Sequence, residues 1–80
     1  MTIGEAVRLR ILELCDERHI SLNKLCRVSG VTQSTVNNIV NNRNKSTTVS
    51  TIKKLCDGLE ITIQEFFQSE LFDGLEQEIK

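Results

Sequence analysis

Proline, tryptophan and tyrosine are absent from this chain of 80 residues, glycine occurs four times and histidine once. Without proline, nothing in the chain obliges a helix to kink or stop. Strict alternation of apolar and polar residues is also missing. Apolar residues recur instead at intervals of three and four, which predicts helices throughout and no strand. No stretch approaches the roughly 18 unbroken apolar residues of a membrane span, and the opening Met1 to Ala6 lacks a basic segment followed by an apolar core. A cytoplasmic protein without membrane association is expected.

Other shortages exclude chemistry. Three cysteines, an odd number with no Cys-x-x-Cys spacing, each follow a leucine, in Leu14-Cys15, Leu25-Cys26 and Leu55-Cys56. They read as small core hydrophobes rather than a disulfide framework, with a redox sensor or metal ligand as the alternative. Cys15 and His19, four apart, could share a helix face, but two ligands do not make a zinc site. The lone histidine reads as a solvent-exposed residue at a helix end. A cysteine nucleophile would need a base in a pocket, and no catalytic motif or Gly-rich phosphate loop is present. One small domain is expected, with no enzymatic activity, cofactor, metal or small-molecule ligand.

The most informative shortage is of acid. The net charge of −1 conceals a segregation: residues 18–56 contain seven Arg or Lys and not one Asp or Glu, whereas residues 57–80 contain seven acids against Lys80. Charges that merely solvate helix faces are usually mixed in sign. A stretch of 39 residues carrying only positive charge suits a polyanionic partner.

Hydroxyl residues mark where the helices begin. Thr2 with Glu5 forms a capping box for a helix reaching about Arg18, with Val7, Ile11, Leu14 and Cys15 inward and Arg8, Glu13 and Glu17 outward. Ser21 caps a short helix over 22–29 that buries Leu22, Leu25, Cys26 and Val28, and Gly30 stops it in a left-handed turn. Thr32 caps a third helix over about 33–41. Thr48 or a neighbour caps a fourth, with Val49, Ile52, Leu55 and Cys56 inward, which Gly58 ends. A capping box of Thr62 and Glu65 opens a fifth that buries Ile63, Phe66 and Phe67. Leu71, Phe72, Leu75 and Ile79 predict a last amphipathic helix beginning at Ser69, weakened by Gly74, that covers the core or pairs with a second copy.

The third helix is compositionally odd. Beyond Val36, Ile39 and Val40 it offers Gln33, Ser34, Thr35, Asn37, Asn38, Asn41 and Asn42. Asparagine and threonine are mediocre helix formers, and a face chosen for stability would carry Glu, Lys and Arg. Recognition is the better reason for amides and hydroxyls.

The pattern Leu22-x-x-Leu25-Cys26-x-x-x-Gly30-Val31-x-x-x-x-Val36-x-x-Ile39 is the packing pattern of a helix-turn-helix. Two short helices crossing steeply need a small residue at their contact, glycine at the turn, and aliphatics on the inner side of the second. With Asn42-Arg43 and the run from Ile52 to Phe67, the chain resembles the Xre family of regulators, the class of lambda-type repressors and Cro proteins, over about residues 5–67. Cys26 where alanine is usual, the missing loop proline and the acidic tail depart from that family.

The resemblance implies an all-α, five-helix lambda-repressor-like domain over 1–68, followed by an acidic amphipathic segment over 69–80. It implies sequence-specific double-stranded DNA binding by a transcriptional regulator of the repressor type; because one domain reads too few base pairs to be selective, a homodimer is expected. Gln33, Ser34, Asn37 and Asn38 are the expected base readers, since an amide donates and accepts at once as adenine's major-groove edge requires. Asn23, Lys24, Thr35, Asn41, Arg43, Asn44 and Lys45 are the expected phosphate contacts, Thr35 also being placed to touch thymine methyls. Lys53 and Lys54 come next, Lys53 for steering. The competing reading is a protein-interaction module, or an antitoxin-like partner, that keeps the fold without specific DNA binding.

Overall fold

The computed structural model describes residues 1–41 and 47–79. Within them lie five α-helices, α1 (Ile3–Glu17), α2 (Leu22–Ser29), α3 (Gln33–Val40), α4 (Val49–Leu59) and α5 (Ile63–Phe67), a single 3-10 turn at Glu70–Phe72, and no strand. The helices start where hydroxyl side chains foretell. Thr2, Ser21, Thr32, Thr48 and Thr62 accept from the backbone N–H of Glu5, Lys24, Thr35, Thr51 and Glu65 at 3.2, 3.1, 3.2, 3.1 and 3.0 Å. Each bond satisfies a donor that a helix's first turn otherwise leaves orphaned.

The box expected at each end of the chain closes fully only at α5, where the Thr62 backbone N–H also donates to Glu65 Oε1 at 2.9 Å. Those bonds from Thr62, the backbone one first, hold the Glu65 carboxyl below its usual range. At α1 the Thr2 hydroxyl turns to donate to Glu5 Oε1 instead, at 3.1 Å.

One core joins the helices. Val7, Ile11, Leu14 and Cys15 from α1, Leu25 from α2, Val31 from the turn, Val36 and Ile39 from α3, Ile52, Leu55, Cys56 and Leu59 from α4, and Phe66 from α5 are buried together. Two residues expected inside are outside: Val49, in the first turn of α4, is 73% exposed, and Val28 is 43% exposed. A three-and-four pattern assigns faces along a whole helix, but its terminal turns overhang the packed surface, and Val49 lies in such a turn.

Gly58 does not end α4. The helix runs on through Leu59 and stops at Glu60, itself left-handed at φ 58°. The glycine instead admits α2, which forms with α4 the most extensive helix pair in the molecule. A Cβ at position 58 would lie 2.8 Å from the Ser29 Cα and 2.9 Å from its Cβ and backbone N. Gly58→Ala therefore opposes two effects, a helix-propensity gain of about 1 kcal/mol and an overpacking cost of about 1–3 kcal/mol. The obstructing atoms are mainly backbone, so the cost wins: urea titration should show a net loss of up to about 2 kcal/mol. A gain would mean that α2 and α4 separate freely.

The last segment corrects the sequence reading most. No helix covers residues 73–79: the 3-10 turn ends at Asp73 in an extended conformation, and Gly74 follows at φ 65°. What the apolar residues of this segment do is local. Phe72 lies edge-on to Phe67 with ring centroids 4.8 Å apart, and 6.3 Å from Phe66, so the turn caps α5 and packs on α1. The Glu76 N–H then donates to the Met1 carbonyl at 3.1 Å, and the Glu76 carboxylate faces the Met1 amino group at 3.6 Å. Ile79, expected to continue the stripe, is 88% exposed.

Candidate nucleic-acid interface

The turn between α2 and α3 is built to hold α3 outward. Gly30, at φ 72°, ends α2 in the left-handed region, its N–H donating to the Cys26 carbonyl at 3.0 Å, where a Cβ would be strained. Ser29 Oγ turns back to the Leu25 carbonyl at 2.6 Å. Leu25, Val31, Val36 and Ile39 point inward from either side of the turn and are buried. With 3.6 residues per turn, burial of Val36 and Ile39 leaves Gln33, Ser34, Asn37, Asn38 and Asn41 on the far side of α3, and all five are exposed.

The expected contact residues divide by what holds them. Gln33 and Asn23 come together: the Gln33 Nε2–H donates to Asn23 Oδ1, bridging the first turns of α3 and α2. Lys24 is exposed beside Asn23, its backbone N–H taken by the Ser21 cap. Thr35 is half-buried and its hydroxyl lies 2.9 Å from that of Thr32, so it is tied into the α3 cap. Asn41 is the C-cap of α3, its N–H donating to the Asn37 carbonyl at 2.9 Å. Arg43, Asn44 and Lys45, with Asn42, lie outside the described residues.

Charge follows the same geometry. Lys54 is exposed, whereas Lys53 pairs with Asp57 one turn along α4, and that hydrogen bond and charge raise its pKa. Solvent screens a pair of this kind on a helix surface, yet it spends part of the cation's field on its own chain.

Arg27 was overlooked in the sequence as a contact candidate. It is exposed and, with Ser21, Asn23, Cys26, Val31 and Gln33, lines a shallow concavity between α2 and α3. The signal was available: Arg27 follows Asn23 by four residues, the spacing that puts two side chains on one helix face.

Two of the three cysteines are buried in the core. Burial is the main cause that pushes the Cys15 and Cys56 thiols up from their ordinary values, which keeps them protonated and poorly nucleophilic at neutral pH. Among the described residues, no group of three or more His, Cys, Asp or Glu is placed to hold a metal ion, and no helix is long and apolar enough to cross a membrane.

An exposed row of amides on a short helix, reached through a glycine turn and bordered by cations, is suited to present hydrogen-bonding groups to the edges of bases. Comparison with known families agrees: a family model described as the Cro/C1-type HTH DNA-binding domain matches residues 10–70. No curated protein and no solved structure gives a significant match.

Proposed function

This chain belongs to the family of Cro/C1-type HTH DNA-binding domains, and from that premise we propose that it regulates transcription, in the manner of a repressor, by reading double-stranded DNA with α3. The observation that carries the reading is the exposure of Gln33, Ser34, Asn37 and Asn38 along one edge of α3, free of the protein's own core. The acidic C-terminal segment is anchored instead to the start of α1 through Glu76 and Met1.

In this reading Gln33, Ser34, Asn37 and Asn38 touch bases. Asn23 and Lys24, at the N-terminus of α2 where the helix dipole favours an anion, grip phosphates together with Thr35, Asn41, Arg43, Asn44 and Lys45. Phosphate contacts position the domain and base contacts choose the site. A single domain of this size reads too few base pairs to be selective in a genome, so the functional unit is a homodimer on a pseudo-palindrome, with half-sites roughly one helical turn apart.

Two substitutions separate the roles. Gln33→Ala should weaken binding to the selected site by about 1–3 kcal/mol with little loss on random DNA, and equal losses on both would refute base reading at that residue. Arg43→Ala should weaken binding to every sequence and lower the steepness of log K against log salt by about one phosphate's worth, roughly 0.9. An unchanged slope would remove Arg43 from the backbone contacts. The whole proposal is tested by gel shift of the full chain against random duplex DNA: salt-dependent binding supports it, and no binding even at low salt would leave the fold serving protein partners instead.

A further inference from the structure

The tetrapeptide Asp-Gly-Leu-Glu occurs twice in the chain, at residues 57–60 and 73–76. From the unlike settings in which the fold places the two copies, we infer that Asp73 is a site of spontaneous covalent modification, isomerising to isoaspartate through a cyclic imide with Gly74, and that Asp57 is shielded from the same reaction.

The reaction draws on the chain and water alone. The Gly74 backbone nitrogen attacks the carboxyl carbon of Asp73, Cγ: an N–C bond forms, a C–O bond breaks, and the amide proton leaves with the carboxyl's OH as water. Water then opens the five-membered imide at one of its two carbonyls. Opening at Cγ restores aspartate. Opening at the former main-chain carbonyl leaves the backbone running through Cβ and Cγ, one carbon longer, with the α-carboxylate as its side group. One water is lost and one regained, so the mass is unchanged and nothing is oxidised or reduced.

Ring closure requires that the aspartate turn about its Cα–C bond until the next nitrogen meets Cγ, and that this nitrogen be free. Asp57 and Gly58 lie inside α4, where that torsion is held near the helical value and the Gly58 N–H belongs to the ladder of bonds four residues back. Ser29 also crowds Gly58, at 2.8 Å from where a Cβ would stand. Asp73 is exposed and extended, at φ −83° and ψ 138°, just past the 3-10 turn. Around Gly74 the space is open, with nothing beyond its chain neighbours within 4 Å of a Cβ built there, and its N–H donates to no backbone carbonyl among the described residues. Turning Asp73 therefore breaks no bond at Gly74, whereas turning Asp57 unwinds part of α4.

The extra carbon falls between two anchors. Phe72, the residue before, packs edge-on to Phe67. Three residues after Asp73, the Glu76 N–H donates to the Met1 carbonyl and the Glu76 carboxylate faces the Met1 amino group at 3.6 Å. A chain lengthened between these anchors puts Glu76 out of register with Met1, so isomerisation releases the acidic tail from the start of α1.

The test is to hold the full chain at neutral pH and body temperature, folded in buffer and unfolded in guanidinium, and to locate isoaspartate by peptide mapping and by methyl transfer from a methyltransferase specific for isoaspartyl carboxylates. In the folded chain it should accumulate at residue 73 at least about tenfold faster than at residue 57, since reaction at 57 waits on local opening of α4. In the unfolded chain the two identical tetrapeptides should react at similar rates. Asp73→Glu, whose longer side chain closes a less favourable six-membered ring, should remove the product at 73 and leave residue 57 as it was. Equal rates in the folded chain, or a difference as large in guanidinium as in buffer, overturns the inference. In the isomerised chain, separated by ion exchange, the Glu76 amide should exchange with deuterium at least about fivefold faster, as loss of one backbone hydrogen bond requires. Unchanged exchange overturns the release of the tail while leaving the modification standing.

Discussion

Phe66→Ala is expected to lower the unfolding free energy by about 3–5 kcal/mol, the range for deleting a fully enclosed aromatic ring. Phe66 is the largest side chain with no solvent exposure. Its ring stands 5.0 Å from Phe67 and 6.3 Å from Phe72, and it belongs to the cluster that α1, α2, α3 and α4 share. A domain of this size has a total stability of only about 5–15 kcal/mol, and each kcal/mol moves its melting temperature by about 4–8 °C. The variant should therefore melt at least about 12 °C lower, read by circular dichroism. Its folded fraction should bind DNA with unchanged base preference, because the ring lies in the core and not on the α3 edge. A shift under about 4 °C would show that Phe67 and Phe72 close over the vacancy.

Arg10→Met should cost about 2–4 kcal/mol, since each hydrogen bond to a charged group contributes about 1.5–3 kcal/mol. Arg10 is only 8% exposed and is the one charged residue buried among those described. Its Nε donates to the Phe66 carbonyl at 2.6 Å and its Nη2 to the Glu65 carbonyl at 2.8 Å, while Nη1 meets the Glu13 carboxylate. The first bond satisfies a carbonyl that the end of α5 leaves without a helical partner, and the second adds a donor to the Glu65 carbonyl, which also accepts from the Gln68 N–H at 3.3 Å. Methionine keeps much of the side chain's bulk but offers no donor, so the Phe66 carbonyl loses the Arg10 bond and the Glu65 carbonyl keeps only the Gln68 N–H.

Glu13 is 42% exposed, so solvent screens its loss and the carbonyls account for most of the effect. Arg10→Lys, one compact ammonium in place of a planar fork, should recover less than half of the stability. Full recovery in the urea midpoint would mean that charge, and not the two directed bonds, ties α1 to α5.

Neither residue was equally visible beforehand. Phe66 stands out because its neighbours Thr62 and Glu65 announce a helix and its apolar spacing announces the inner face. Arg10 is marked less clearly: its spacing, three after Val7 and four before Leu14, sets it on the inner face of α1, but nothing near it in the sequence tells what a cation would bond there. Its role depends on the ends of α5 arriving alongside, 55 and 56 residues further on. Gly58 misled for a related reason. Glycine after an apolar run commonly closes a helix, and nothing near it in the sequence tells that Ser29 will press against that point instead. The C-terminal stripe was a true apolar pattern joined to a false helix. Leu71 and Phe72 are drawn onto α1 and α5, while Asp73 extends and Gly74 turns left-handed, and the period is broken there.

The exposed edge of α3 shows the same division. That Gln33, Ser34, Asn37 and Asn38 share a face away from Val36 and Ile39 follows from helical periodicity alone, and their exposure agrees. That Gln33 is held by Asn23, and that Arg27 flanks them, needed the crossing of α2 and α3.

What the amino-acid order determined unaided was set within about one helical turn: the five capped starts, the glycine turn at Gly30, the inner sides of the long helices apart from Val49 in the first turn of α4, and the segregation of charge. Such features depend on a hydroxyl and an N–H three residues apart, or on a repeat of 3.6. Only the assembled tertiary structure decided the Ser29–Gly58 contact, the Arg10 bonds to α5, the seating of the last residues on Met1, and the partner of Gln33. Each of these joins positions from different elements, and their meeting is set by how the helices pack, which no local spacing encodes.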